Sequence, residues 1–271
     1  MKRLTKKQTT EFQKALYGFF RHGGRDFPWR QTTNPYHILV SEIMLQQTQA
    51  PRVVKKYNAF LKKFPSVAKL AVAPTRAVLK EWSGLGYNRR ALMLQQAAQT
   101  IVHDHRGVVP RNITELKKLR GVGEYTAKAV SVFAFNQLEV LIETNVRSVF
   151  IHHFFPSRKK VSDKELLPLI AQTVDIKNPR QWYSALMDYG THLKKEHGNP
   201  SRKSLHHVKQ KAFIGSDRQI RGAIVRSLAK KSMTGVELMG VLPFGAERIN
   251  KNLAALKQEG LISVFKNKYR I

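Results

Sequence analysis

Residues 119–130 read LRGVGEYTAKAV. Gly121 and Gly123, one residue apart, predict a tight turn, and Thr126 opens an apolar helix pattern behind it. Such a turn at a helix start exposes backbone N–H groups that can hold a nucleic-acid phosphate without reading sequence. A Gly-x-Gly before a helix is common when it stands alone. Here ITELKKL at 113–119 carries a helix pattern of its own. The expected unit is helix, hairpin turn, helix, with Gly121, Gly123 and Thr126 as its DNA-binding residues.

The same periodicity extends outward. TEFQKALYGFF, HILVSEIMLQQ, RVVKKYNAFLKKF, RALMLQQAAQTIV, TAKAVSVFAF, NVRSVFIHHFF and QWYSALMDYG all place apolar residues at helical spacing. Breakers fall between them, at Gly23-Gly24, Pro65-Ser66, Gly84 to Gly86 and Asn178-Pro179. An all-α domain over residues 1–204 is expected. From KEHGNPSRKS the composition becomes that of a polar, basic linker. Beyond it come a helix capped at Ser216, a second with Thr234 and Glu237 at capping-box spacing, and a third that Gly260 can terminate. Two short alternating runs around Lys266-Asn267-Lys268 predict a hairpin. Three helices and a hairpin form a winged-helix pattern over 205–271, where thirteen Lys or Arg face four Asp or Glu. DNA contact through Lys266 and Lys268 is the expectation for it, protein docking the alternative.

Composition points to the same partner. The chain has 271 residues and a formal charge of +30, which favours a polyanion. Its 42% hydrophobic content, with 14 Phe and 8 Tyr, excludes a disordered basic tail. No apolar run reaches membrane-spanning length, and MKRLTKKQTT lacks the apolar stretch of a signal peptide. A cytoplasmic, nucleoid-associated monomer facing double-stranded DNA, with no membrane role, is expected. Cysteine is absent, which excludes disulfides, thiolate zinc sites and all-cysteine iron–sulfur ligation. His192, His197, His206 and His207 match no metal signature and read as surface residues, so no cofactor and no metal are expected.

One carboxylate stands out in SEIMLQQTQ at 41–49. Asn34 and Pro35 predict a helix start, and the helix should continue to about Ala50, where Pro51 stops or kinks it. On a 3.6-residue period Glu42 shares its face with Ile38, Leu39 and Leu45, so it points at a core or a closed pocket. A carboxylate there must be paired, protonated or used.

Together, FPWR, SEIMLQQTQ, GLGYNRR, LRGVGEYTAKAV and ETNVRSVF stand in the order and spacing of the helix–hairpin–helix (HhH-GPD) DNA glycosylases. The chain resembles this family over roughly residues 20 to 195, and its MutY-type adenine glycosylases most of all. The resemblance implies flipping of a nucleotide and cleavage of its N-glycosidic bond. It assigns the catalytic positions to Glu42, Glu143, Tyr125 and Asn145. Glu42 falls on the family's acid, which protonates the departing base. Glu143 falls on the family's aspartate, which steadies the cationic sugar, and it precedes a helix whose N-terminus favours its charged form. Tyr125 replaces the lysine of lyase-competent relatives, which implies a monofunctional enzyme, and Lys128 one turn on reads as solvated or phosphate-contacting. Trp29 and Arg30 match the base pocket, Gln47 and Thr48 the residues facing the orphaned base, and Leu85 and Tyr87 the wedge. Gly84 and Gly86 favour an exposed tip for that wedge, with core residues below a turn as the alternative. Asn145 reads equally as an ordinary helix cap.

The chain departs from the family at three points. It has Glu143 for Asp, no cysteine-ligated cluster after LMDYGTHLKKEHG, and a winged-helix pattern where an 8-oxoguanine-recognition domain is expected. Adenine opposite 8-oxoguanine or guanine is the expected substrate. A thymine or uracil mismatch glycosylase is the rival enzyme, and a non-catalytic DNA-binding protein on the same scaffold is the rival class.

Overall fold

The computed structural model describes residues 3–209 and 212–271. Among them the chain forms fourteen α-helices and one two-stranded hairpin. The first seven helices are α1 (Lys6–Gly23), α2 (Pro35–Leu45), α3 (Ala50–Lys63), α4 (Val67–Ala71), α5 (Thr75–Trp82), α6 (Arg89–Asp104) and α7 (Ile113–Lys118). They are followed by α8 (Glu124–Phe135), α9 (Thr144–Phe154), α10 (Asp163–Thr173), α11 (Pro179–Glu196), α12 (Asp217–Lys230), α13 (Gly235–Val241) and α14 (Ala246–Gln258). Strands β1 (Ser263–Phe265) and β2 (Lys268–Arg270) pair antiparallel, with Phe265 opposite Lys268. No described helix is long and apolar enough to cross a membrane.

Local chemistry sets many of these boundaries. Asn34 accepts hydrogen bonds from the backbone N–H groups of Tyr36 and His37 and so starts α2. Capping boxes open α1 (Thr5 with Gln8) and α13 (Thr234 with Glu237). Lys266 and Asn267 both adopt positive φ, the geometry of a two-residue hairpin turn.

The expected course of α2 needs correction. It ends at Leu45, not near Ala50, and Pro51 lies in the first turn of the next helix, where a missing N–H costs nothing. Gln47, at φ +53, breaks the chain direction between them.

Packing divides the chain into two compact units. One holds the described residues of Met1–Ile38, Arg111–Ile113 and Gly123–Lys209, the other those of Leu39–Pro110, Thr114–Val122 and Gln210–Ile271. In the first, α9 and α11 form the centre, and α1, α8 and α10 pack around them. Phe12 sits edge-on to Phe150, Phe154 and Trp182 at 5.2–5.8 Å. The stretch from residue 195 to 204 is not a free linker: α11 runs to Glu196, a 3-10 turn follows at Pro200–Lys203, and Ser204 bridges to Val161.

The second unit is centred on α4, α5 and α6, with Phe60, Leu70, Leu79 and Trp82 fully buried. The C-terminal helices belong to the same unit. Helix α12 packs on α5, and Arg76 donates to the carbonyls of Ala229 and Lys230.

Candidate functional site

Glu42 occupies the second half of α2, a helix buried on every side from Ile38 to Met44. The residue is 8% exposed, so the expectation of a core- or pocket-facing glutamate agrees with its position.

The turn that follows α2 is held by a residue whose role the sequence did not reveal. Arg90, buried at the start of α6, donates through Nη1 to the carbonyls of Ile43, Met44 and Gln46 at 2.8, 2.9 and 2.5 Å. Its Nη2 reaches the Thr48 hydroxyl at 3.0 Å and the Gly86 carbonyl at 3.2 Å. The last carbonyls of a helix have no N–H partner of their own, and a guanidinium on a distant helix serves them here. Burial lowers the Arg90 pKa to about 10, with Tyr87 acting the other way, so it stays charged at neutral pH. Thr48 is thus anchored, while Gln47 is exposed.

The wedge expectation splits. Leu85 is 3% exposed and belongs to the core beneath the turn, a correction to the exposed tip. The neighbouring glycines, at φ +96 and +74, bend the chain so that this side chain turns inward. Tyr87 is half-buried at φ +47, and the Arg90 and Arg218 guanidiniums each lie 5.5 Å from its ring centre.

At the hairpin, Gly121 has φ +81, and a Cβ there would meet Met93 Cβ at 2.9 Å. Both facts require glycine. Exposed Gly123 is the N-cap of α8 and brings no side chain over the helix start. The helix opens at Glu124, two residues before Thr126, whose side chain is buried; any phosphate contact at this turn therefore falls to backbone N–H groups. Tyr125 is half-buried on the second helical residue, and Lys128 pairs with Glu124 at 3.2 Å.

Glu143 is itself the cap of α9. Its Oε1 accepts the N–H groups of Asn145 and Val146 at 2.7 and 2.9 Å, and its Oε2 accepts Asn145 Nδ2 at 3.2 Å. Asn145, read as a possible cap, is therefore the second helical residue. It carries the interaction onward: Lys194 Nζ donates to Asn145 Oδ1 at 2.9 Å. Burial lowers the Lys194 pKa, and nearby Glu143 works against that shift. Gly190 allows this arrangement, since a Cβ there would lie 2.5 Å from the Asn145 carbonyl oxygen. Neither Lys194 nor Gly190 had a signal in the sequence beyond lying on a helix.

Trp29 is buried and stacked on Phe27, with ring centres 4.8 Å apart. Arg30 makes a bidentate pair with buried Asp188 at 2.7 and 2.8 Å, and Arg25 joins the same carboxylate at 2.7 Å. Burial disfavours the Asp188 charge, but the two guanidiniums outweigh it and hold its pKa below the ordinary carboxylate value. The arginine expected in the base pocket thus has its guanidinium in an ion-pair cluster.

Lys266 lies in the β1–β2 turn and Lys268 starts β2, both exposed. Three of the four histidines have distinct surroundings: His192 lies against Phe19, His197 stacks on His152, and His206 is 3.8 Å from Asp163. Among the described residues no three His, Cys, Asp or Glu side chains converge as a metal site. With no thiolate in the chain, its residues do not fit a cysteine-ligated cluster.

Comparison with known proteins follows the same residues. Positions 40–228 match the model of the HhH-GPD superfamily base excision DNA repair proteins. The chain is 30% identical over 268 residues to the adenine DNA glycosylase of Mycolicibacterium smegmatis, covering 91% of each chain. It is 34% identical over 184 residues to the adenine DNA glycosylase of Buchnera aphidicola, covering 67% of this chain but 52%, about half, of that relative. A solved thermostable thymine-DNA glycosylase superposes with a TM-score of 0.60 at 30% identity, over 68% of this chain and 86% of that one. From the buried Glu42, the glycine hairpin and these matches, the chain belongs to the HhH-GPD superfamily of base excision DNA repair proteins.

Proposed function

We propose that the chain is a monofunctional DNA N-glycosylase that removes adenine mispaired with 8-oxoguanine or guanine. The observation that carries this reading is the near full-length similarity to an adenine DNA glycosylase, combined with a buried Glu42 and a helix-capping Glu143. In the proposed reaction Glu42 gives a proton to a ring nitrogen of the flipped base, so that the base leaves as a neutral molecule. The Glu143 carboxylate steadies the oxocarbenium-like sugar, and water completes the hydrolysis. Tyr125 offers no amine for a Schiff base, which supports hydrolysis without strand cleavage.

The reading includes a chain that acts as a monomer in the cytoplasm at the nucleoid, needs no metal or cluster, and holds duplex DNA through the Gly121–Gly123 turn. Residues 205–271 are proposed as a winged helix whose hairpin lysines contact the duplex. A thymine or uracil mismatch enzyme is the second reading, favoured by the similarity to the solved thymine-DNA glycosylase.

A panel of duplexes carrying each mispair, incubated with the protein and then treated with alkali, tests the proposal. Strand breaks at adenine opposite 8-oxoguanine or guanine, appearing only after alkali, are expected. Breaks at thymine or uracil would move the assignment to the second reading. A borohydride-trapped covalent adduct in high yield would overturn the monofunctional mechanism.

A further inference from the structure

Helices α9 and α11 meet closely at Gly190, and the half-buried Asn145 lies in that contact. Its Nδ2 donates to Glu143 Oε2 at 3.2 Å, and its Oδ1 accepts from Lys194 Nζ at 2.9 Å. Thr191 Oγ also approaches Oδ1, at 3.4 Å, but its single hydroxyl proton is better placed on the Met187 carbonyl at 2.9 Å. Lys194 is therefore the donor that decides how the amide stands. Turned over, the amide would set Nδ2 against an ammonium and Oδ1 against a carboxylate, two repulsive contacts in place of two hydrogen bonds. Burial works against the charge of Lys194 and Glu143 works for it, and the hydrogen bonds join the two through a neutral amide.

We propose that Lys194 is a positioning residue for base excision: by fixing the orientation of the Asn145 amide, it holds the Glu143 carboxylate in the geometry that steadies the sugar. The inference rests on the glycosylase reading. Glutamate needs such a device more than aspartate does, because its carboxylate turns about one further side-chain bond. The N–H groups of Asn145 and Val146 anchor Oε1 at 2.7 and 2.9 Å, whereas Oε2 is placed by the Asn145 amide. A charged donor on the far side of that amide polarises it and strengthens its bond to Oε2. Misplacing a reacting group by about 1 Å can cost about 10²-fold in rate. Loosening one of three bonds to the carboxylate should cost less, about tenfold.

The test is single-turnover excision, at saturating protein, on the mispair that the parent cleaves, beside affinity for a duplex carrying a tetrahydrofuran abasic analogue. Lys194→Met keeps much of the side chain and removes the charged donor, so it should slow excision about tenfold while affinity stays within about twofold. Asn145→Ala should slow excision at least as much. The deciding comparison is the double variant, which should excise no more slowly than Asn145→Ala alone, because both changes break one chain of contacts. Lys194→Gln falls short of the amide and should show the same coupling; it serves if the methionine variant does not fold. Losses that multiply in the double variant would show that Lys194 acts apart from Asn145 and overturn the proposal. A weaker affinity, with the log–log salt slope lowered by about 0.9, would make Lys194 a phosphate contact, with the same consequence. So would a parental excision rate with only a lower Tm, which would leave Lys194 as a prop between α9 and α11. Absence of excision by the parent on every mispair defeats the glycosylase reading itself, whereas an active parent with uncoupled variants defeats only the positioning role.

Discussion

Glu143 shows how one added methylene can be absorbed. The carboxylate folds back over its own helix, and its two oxygens collect three N–H bonds from Asn145 and Val146. In the proposed mechanism this carboxylate faces the developing sugar cation. Under the proposed mechanism Glu143→Gln should lower single-turnover excision by about 10²-fold while duplex binding persists, and Glu42→Gln should do the same by removing the proposed proton donor. Asp at position 143 can still cap the helix, but it withdraws the carboxylate by about 1.5 Å, and excision should fall about tenfold. Faster excision by Glu143→Asp would mean that the Lys194–Asn145–Glu143 chain is not built around glutamate. Asp188 supports a different kind of claim. Asp188→Asn strands Arg25 and Arg30 beside a neutral amide and should cost about 3 kcal/mol at pH 7. Its folded pKa lies below 3.8, so this stabilisation is present above that value and is lost as pH falls through the lower folded one. Urea titrations of parent and variant should converge in acid; a gap that stays constant to about pH 2 would show that charge is not its source.

Elements are placed by signals of two ranges. Caps and turns lie within a few residues of what they control, so the starts of α2, α12 and α13 and the two-residue hairpin were all readable. The end of α2 was not, because its carbonyls are satisfied by Arg90 on another helix. Helices α4 and α5 are short and α10 is interrupted by Pro168, and none of the three was read from the sequence. Helix α11 meets the start of α9 at Gly190, where no side chain fits. Gly190→Ala should push the helices apart, lower the unfolding free energy by about 2 kcal/mol and slow excision through displaced Asn145. A variant as stable and as active as the parent would show that this packing is slack.

Across the whole molecule, the formal charge of +30 and the two exposed hairpin lysines bear on how duplex DNA is held. If β1–β2 touches phosphates, replacing Lys266 and Lys268 by Gln should lower the slope of log affinity against log salt by about 0.9 for each phosphate no longer neutralised. An unchanged slope would assign the hairpin to protein docking. Side-chain substitution is the right tool here. Cutting the chain near residue 205 would also strip α12 from α5 and expose apolar surface buried between them, confounding binding with stability.

By itself the sequence determined the helical class, the glycine hairpin, the capped C-terminal helices and the burial of Glu42, because periodicity, caps and φ-permissive residues act over one or two turns. Tertiary structure alone decided that Leu85 turns inward, that Arg90 closes α2 and that Lys194 reaches Asn145. It also decided that the C-terminal helices share a unit with residues 39–110. Each of those outcomes depends on a partner tens of residues or more away, or on which face of an element meets its neighbour. Only the packed chain brings such groups within hydrogen-bonding or van der Waals reach.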